Sequence, residues 1–210
     1  MVKKGLTRDR LVTTAHAYVA EHGLDSLTMR RVATAAGVTP GALYKHFTDA
    51  DDLRREMAAS IFARVELADL NLDTPDVDQI VLCCQRFRNA MLDFRDGGRI
   101  IAGAFSPNPS TVRLSHVLMS LIQPITVPPH RAGDIQFALR SYTTGFVIEE
   151  QAFLDLEHSG EWASLVADVA AAGYPRVDET SDAATILTGD RDERFTAGVR
   201  TILTGTVDGA

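Results

Sequence analysis

Apolar residues recur along the chain at the three- and four-residue spacing of helices, and no segment alternates convincingly with the two-residue period of a strand. The first stripe runs through Leu11, Ala15 and Val19 and ends at Gly23. Similar stripes occupy most of the remaining sequence. The pattern therefore predicts an all-α protein.

Two short helices in the first fifty residues are defined by their caps. Thr28 is an N-cap residue for a helix over 29–36, which Gly37 ends. Thr39 followed by Pro40 begins the next helix, which we expect to reach about His46. Two short helices joined by a glycine turn form the helix-turn-helix pattern, whose second helix enters the major groove of DNA.

The later stripes predict a connecting helix and a larger helical body. We divide the chain into residues 1–50, a connecting helix over 51–69, and a body over 70–210. The first expected helix of the body begins at Pro75-Asp76 and is ended by Asp96-Gly97-Gly98. The later expected helices cover 110–122, 131–158, 161–172 and 191–206. Residues 99–105 form a short segment, the proline-rich stretch 123–130 a linker, and 173–188 a loop.

Charge is distributed unevenly between these parts. Residues 1–50 hold seven Lys or Arg against four Asp or Glu, whereas the rest holds 14 basic and 24 acidic residues. The net charge of −7 argues against a uniformly basic nucleic-acid binder. A basic segment beside an acidic body is consistent with a polyanion bound at one end only.

Composition excludes several classes of protein. Apolar residues make up 45% and charged residues 23%, as in ordinary globular proteins. Cys83 and Cys84 are neighbours, so they cannot form a disulfide framework, and we expect both to be small buried apolar residues. We find no signal-peptide pattern and no apolar run long enough to span a membrane. These features predict a cytoplasmic protein that does not bind a membrane.

The helix-turn-helix residues suit contact with DNA. Gly41 and Ala42 let the backbone approach base edges, and Tyr44, Lys45 and His46 place donors near phosphates and bases. The segment LTMRRVATAAGVTPGALYKHFTDADDL resembles the DNA-binding domain of TetR-family transcriptional regulators. That resemblance implies a homodimer on double-stranded operator DNA. It also implies that the residues at or near DNA are Thr28, Arg30, Thr39, Pro40, Gly41, Ala42, Tyr44, Lys45 and His46.

The chain departs from the family at one position near this segment. A Lys that contacts phosphate usually precedes the fourth helix, and Ala50 stands there within an acidic stretch. The loss of one cationic contact should weaken non-specific DNA affinity and reduce its salt dependence.

The body resembles the tetracycline-repressor branch of the family over RFRNAMLDFRDGGRIIAGAF and SYTTGFVIEEQAF. That branch holds its drug as a magnesium chelate through a His and a Thr. Here Ile101 and Ala104 occupy those positions, and neither can bind Mg²⁺. The resemblance implies a ligand-binding body, and the substitutions argue against tetracycline, a metal or a cofactor.

The expected pocket is apolar and lies between helices, as is common in helical bundles. Its candidate ligand-binding residues are Cys83, Phe87, Met91, Ile101, Phe105, His116, Phe137 and Tyr142. Further polar candidates are Asn89, Arg99, Gln136 and Thr143. We therefore expect a small, mostly apolar effector of unknown identity, which shifts the connecting helix and releases the operator.

The stripes of the two long C-terminal helices resemble those of the family's four-helix dimer interface. The expected interface residues are Leu139, Phe146, Phe153, Phe195, Val199 and Ile202. The sequence thus predicts a ligand-responsive repressor, with an activator or a helical scaffold for a protein partner as the alternatives. An enzyme is disfavoured, because hydrolase, P-loop and metalloprotease motifs are absent from the sequence.

Overall fold

A computed structural model describes residues 6–104, 107–126, 128–172 and 189–207. These residues form ten α-helices and no strand, which confirms the all-α prediction. The helices are α1 (Arg8–His22), α2 (Met29–Ala35), α3 (Pro40–Leu43), α4 (Ala50–Phe62), α5 (Val77–Leu92), α6 (Gly97–Ile101), α7 (Pro109–Ile122), α8 (Ala132–Ser159), α9 (Trp162–Ala171) and α10 (Arg191–Val207). The predicted loop over 173–188 lies outside the described residues.

The predicted helix starts are confirmed by their caps. The hydroxyls of Thr28 and Thr39 accept hydrogen bonds from the backbone N–H groups three residues on, and Pro40 occupies the first turn of α3. The carboxylates of Asp49 and Asp76 cap α4 and α5 in the same way. Each cap satisfies a backbone donor that the first helical turn leaves unpaired.

Three helix ends differ from the sequence prediction. The helix expected to run from Pro40 to about His46, which we call the recognition segment, is helical only to Leu43 and continues as turns. The connecting helix, expected over 51–69, ends at Phe62. The helix expected to reach Asp96 ends at Leu92 instead. Asp96 adopts a left-handed conformation with φ of 59°, and a Cβ on Gly97 would lie 2.0 Å from the Met91 carbonyl oxygen. The chain therefore reverses sharply here, and a separate short helix, α6, follows.

Most described residues of the predicted linker over 123–130 belong to short helical turns, which its prolines did not suggest. Two short 3₁₀ turns, Gln123–Ile125 and Pro129–Arg131, lead from α7 into α8. Thr126 between them is buried, and its hydroxyl donates to the carbonyl of Ile122. This bond fixes the direction in which the chain leaves α7.

We call α1–α3 the head and α5–α10 the body. The core of the head contains fully buried side chains such as Leu11, Val32 and Leu43. In the body, α8 packs on α5, α6, α7 and α10. Helix α4 packs on α1 and also on α6 and α7, so it joins the two parts. Among the described helices, none has the length and apolar character needed to cross a bilayer.

Candidate functional site

The turn between α2 and α3 is built around Gly37. The N–H of Gly37 donates to Thr34 and that of Val38 to Ala33, which is the Schellman pattern of a helix ended by a left-handed residue. Gly37 has φ of +68°, a conformation that side chains with a Cβ rarely adopt. The turn therefore sets the angle between α2 and α3.

The residues predicted to contact DNA belong to α2, α3 and the turns beside them, and we call their combined surface the α3 face. Leu43 and Phe47 are buried beneath it and anchor the segment. Tyr44 is 54% exposed, so it does not pack against the helices. The face is formed by the exposed Thr28, Arg30, Thr39, Pro40, Gly41, Tyr44 and Lys45, with Ala42 and His46 partly buried.

Acidic residues beside the α3 face are engaged within the protein. Arg8 binds the carboxylates of Asp52 and Glu56 at 3.2 and 3.0 Å, and it also donates to the His46 carbonyl. Burial acts to raise the pKa of Asp52, but hydrogen bonds from Thr48 and Arg8 outweigh it and lower that pKa. The acidic stretch around Ala50 therefore caps α4 and ties it to the head.

A cavity of about 200 Å³ opens between α4, α5, α7 and α8, and we call it the body pocket. Phe62 and Phe87 stack nearly parallel in its wall, with ring centroids 5.4 Å apart. Its lining residues are Phe62, Cys83, Cys84, Phe87, Thr111, Leu114, Ser115, Leu118, Gly133, Gln136, Phe137, Leu139, Arg140 and Thr143. The predicted pocket between helices is thus present.

Three of the eight predicted ligand-binding residues line the body pocket: Cys83, Phe87 and Phe137. The other described candidates do not line it. Met91 is buried in the core, and Ile101 is buried beside the groove between α6 and α8 that Phe137 and Arg140 also border. His116 is exposed on α7, and Tyr142 stacks on Phe195. Phe105 lies outside the described residues.

The lining of the body pocket also includes residues that the sequence analysis did not single out for ligand binding, among them Phe62 and Arg140. Arg140 lies four residues after Gln136 and three before Thr143, both of which were predicted polar candidates. These positions share one helix face, so the spacing could have identified Arg140. Phe62 belongs to the connecting helix, and its role depends on where that helix crosses the body.

Both thiols of the body pocket are held neutral. Burial raises the pKa of Cys83 to about 12, and burial likewise raises the pKa of Cys84. The prediction that both are buried residues is confirmed. Neutral thiols are poor nucleophiles, so the pair contributes apolar surface to the pocket wall.

The predicted dimer-interface residues separate into two groups. Leu139, Phe195 and Val199 are fully buried within one protomer, because the strongest apolar stripes of α8 and α10 face the core. These three residues have no surface to offer a second copy, which corrects the prediction. Phe146, Phe153 and Ile202 are partly exposed.

A buried ion pair joins three helices of the body. The Arg88 guanidinium on α5 binds both carboxylate oxygens of Glu150 on α8, at 2.7 and 2.5 Å. It also binds the carboxylate of Asp192 on α10 at 2.6 Å. Phe146 and Phe195 lie beside the same guanidinium, with ring centroids 5.5 and 5.2 Å from its carbon. This cluster fixes α5 against both C-terminal helices.

The turn before α6 binds the head directly. The Asp96 carboxylate accepts the Leu24 N–H at 2.8 Å, and Arg99 bridges Asp96 and Asp25 at 2.9 and 2.5 Å. On the other side, α6 approaches α8 so closely that a Cβ on Gly98 would lie 2.9 Å from Ile148. Helix α6 is therefore held between the head and α8.

The structure also bears on the metal chelate that the sequence argued against. Ile101 and Ala104 are buried apolar residues. Within the described ranges, no three His, Cys, Asp or Glu side chains come together in a way that could hold a metal ion.

Comparisons with known proteins agree with the two parts of the fold. Residues 11–57 match the family model described as bacterial regulatory proteins, tetR family. Residues 74–208 match the model described as tetracyclin repressor-like, C-terminal domain. The chain is similar to the tetracycline repressor protein class C of Escherichia coli, with 32% identity over 74% of this chain and 72% of that protein.

Solved structures extend the similarity over nearly the whole chain. A possible TetR family transcriptional regulator from Streptomyces coelicolor A3(2) is 32% identical, with a TM-score of 0.80 over 95% of this chain and 98% of that chain. The TetR family protein ActR of Streptomyces coelicolor, solved in complex with actinorhodin, is 25% identical. Its TM-score is 0.77, and the match covers 98% of this chain and 96% of that chain.

Proposed function

Because the chain belongs to the TetR family of transcriptional regulators, we propose that it is a repressor that releases its operator when a small effector binds. Members of this family bind operator DNA and small-molecule effectors, and they are regulators and not enzymes. The finer assignments below concern repression, the effector and the dimer.

The observation that carries the proposal is the composition of the α3 face. Most of its residues are exposed although Leu43 and Phe47 beneath them are buried, and they include donors for phosphates at Tyr44 and Lys45. A Cβ on Gly41 would meet nothing within 4 Å, so the backbone there is open to a close partner. Exposed donors around an accessible helix start suit the major groove.

A continuous set of contacts leads from the body pocket to the α3 face. Phe62 lines the pocket at the end of α4, and Asp52 and Glu56 lie towards the start of the same helix. These two carboxylates bind Arg8, which donates to the His46 carbonyl just after α3. A ligand that displaces Phe62 would therefore move α4 and, through Arg8, the recognition segment.

We propose a mostly apolar effector that is not a metal chelate. One relative is named for tetracycline and another was solved in complex with actinorhodin, so the family does not dictate a single ligand. In this chain the pocket wall is dominated by aromatic, aliphatic and thiol side chains.

We propose that the protein acts as a cytoplasmic homodimer, because operator DNA lies in the cytoplasm and two linked heads can read two half-sites. The outer faces of α8 and α10 are the proposed dimer face. It includes the small exposed residues Ser141, Gly145 and Thr201, together with the partly exposed Phe153 and Ile202. Small side chains allow helices of a second copy to approach closely.

The test is fluorescence anisotropy of the purified protein with the DNA that flanks its own gene, compared with a scrambled duplex at two salt concentrations. We expect tight binding to the flanking DNA that weakens with salt. A Tyr44→Ala, Lys45→Ala variant should lose this binding, and Asp73→Ala, on a distant loop, should retain it. Equal binding to both duplexes would contradict an operator-specific regulator.

A further inference from the structure

The body pocket contains one charged side chain among its described lining residues, Arg140. We propose that the effector is an aromatic carboxylate with a single ring, whose carboxylate is bound by Arg140. This inference rests on the proposed function, because it identifies the chemical class of the ligand that the repressor senses.

The size of the body pocket limits the ligand to about one ring. Its volume is about 200 Å³, below the usual range of about 300–1,000 Å³ for sites that bind drug-sized molecules. An engineered apolar cavity of about 150 Å³ in another protein binds benzene. A ring with one small substituent therefore matches the available space.

The wall of the pocket favours an aromatic ring. Phe62 and Phe87 present stacked rings from α4 and α5, and Phe137 borders the same space from α8. Aromatic side chains prefer offset-stacked or edge-to-face partners with centroids about 4.5–7 Å apart. A planar ligand would make such contacts with these rings. It would also contact Phe62 directly, and Phe62 is the first residue in the set of contacts that leads to the α3 face.

The charge of the pocket selects an acid. Arg140 is a cation in the wall, and its carbon lies 5.9 Å from the centroid of the Phe62 ring. Burial lowers the pKa of the Arg140 guanidinium, which shows that desolvation disfavours its charge. A guanidinium has five N–H donors and binds a planar carboxylate through two parallel hydrogen bonds. An organic cation would instead be repelled.

Neighbouring polar groups of the pocket are engaged within the protein. The Thr143 hydroxyl donates to the Leu139 carbonyl at 2.7 Å, and the Gln136 amide donates to the Ser115 carbonyl at 2.7 Å. Arg140 and the exposed Phe137 also border a surface groove between α6 and α8. A carboxylate at Arg140 would thus lie towards the groove, with the ring directed inward.

The experiment is isothermal titration calorimetry of the full-length protein without DNA. The probes are benzoate, phenylacetate and cinnamate, each paired with its neutral amide. We expect at least one acid to bind at least about tenfold more tightly than its amide, as one charged hydrogen-bonded contact would require. Arg140→Met should remove this preference, Arg140→Lys should retain part of it, and Arg131→Met, on the exposed turn before α8, should leave it unchanged.

Three outcomes would overturn the inference: no acid binds, amides bind as tightly as acids, or Arg140→Met retains the preference. If Arg140→Met does not fold, the comparison of acid with amide on the wild type decides. Operator binding measured without any acid separates the two proposals. Intact DNA binding with no acid bound would reject the aromatic carboxylate alone, whereas acid binding without DNA binding would reject the repressor.

Discussion

His16 is a neutral imidazole held between the head and the body. Its Nε2 lies 2.8 Å from the Ser60 hydroxyl on α4, and its ring centroid lies 4.4 Å from that of Phe94. Burial is the main cause that lowers the pKa of His16 to about 4, and the charge of Arg64 adds to it. Protonation of this residue therefore opposes the packing of α1 against α4.

The first prediction concerns stability against pH. The unfolded chain binds a proton at His16 as the pH falls below about 6.5, whereas the folded protein does so only near pH 4. Folding stability should therefore decrease as the pH falls through this window, by about 2 kcal/mol between pH 7 and pH 5 from this residue alone. Urea denaturation at both pH values should show a smaller decrease for His16→Gln than for the wild type. Identical decreases would contradict the assignment.

Gly41 provides a second test at the residue scale. A Cβ there meets open space in the free protein, so Gly41→Ala should leave stability unchanged or raise it by up to about 1 kcal/mol. The added methyl group would stand between α3 and the base edges. We expect operator affinity to fall by at least about tenfold, the cost of one poorly accommodated base contact.

Thermal unfolding and anisotropy together check the Gly41 prediction. Gly133→Ala, measured without effector because the residue lines the body pocket, serves as the control, since a Cβ at that position of α8 also meets nothing within 4 Å. It should change neither operator binding nor, by more than a small gain, stability. Unchanged DNA affinity in Gly41→Ala would mean that α3 does not approach the bases closely.

At the residue scale, the sequence predicted best where the cause is local. Caps such as Thr28 and Thr39 and the turn at Gly37 depend on neighbouring residues, so their roles could be recognised directly. Arg140 and Phe62 depend on how distant helices cross. Periodicity shows that a helix has an inner face, but it does not show which inner residues border a cavity.

The ion pair of Arg88 with Glu150 gives a prediction at the scale of elements. Both side chains are nearly inaccessible to solvent, so loss of Arg88 leaves the Glu150 carboxylate buried without its partner, and loss of Glu150 leaves the buried guanidinium with only the exposed carboxylate of Asp192. Arg88→Met or Glu150→Leu alone should destabilise the protein by about 3–5 kcal/mol, and the double variant should recover most of that loss. Asp192 is 80% exposed, so Asp192→Asn should cost less than about 1 kcal/mol.

Denaturant titration of these four variants measures the coupling between α5, α8 and α10. Single variants that unfold like the wild type would show that apolar packing alone holds these helices. Glu150 and Asp192 are separated from Arg88 by 62 and 104 positions in the sequence. No local pattern links them, which is why the sequence did not predict their pairing.

The boundaries of helices were also predicted best where their cause is local. The start of α5 could be predicted because Asp76 caps it, but its end could not be predicted correctly. Asp96, rather than a glycine, adopts the left-handed conformation, and contacts with Leu24 and Arg99 hold its carboxylate in place. The tertiary position of this turn against the head therefore determines where α6 begins.

At the scale of the whole molecule, a homodimer would explain why outer residues of α8 and α10 are small. A Cβ on Gly145 meets nothing within 4 Å in the protomer and the residue is exposed, so the side chain of Gly145→Arg can extend into solvent in the monomer. It would instead place a long charged side chain in the proposed dimer face. We expect the wild type to sediment as a dimer and Gly145→Arg as a monomer, while thermal unfolding shows that the variant remains folded.

The same variant should lose operator affinity although its α3 face is intact. Two linked heads bind an operator about a hundredfold or more tightly than one head does, because the second head meets its half-site at a high effective concentration. Gly145→Arg should therefore bind the operator at least about a hundredfold more weakly and bind a single half-site like the wild type. Asp73→Arg, on an exposed loop, is the matched control for added charge. A wild type that sediments as a monomer would contradict the homodimer, whereas a variant that still pairs would place the dimer face elsewhere.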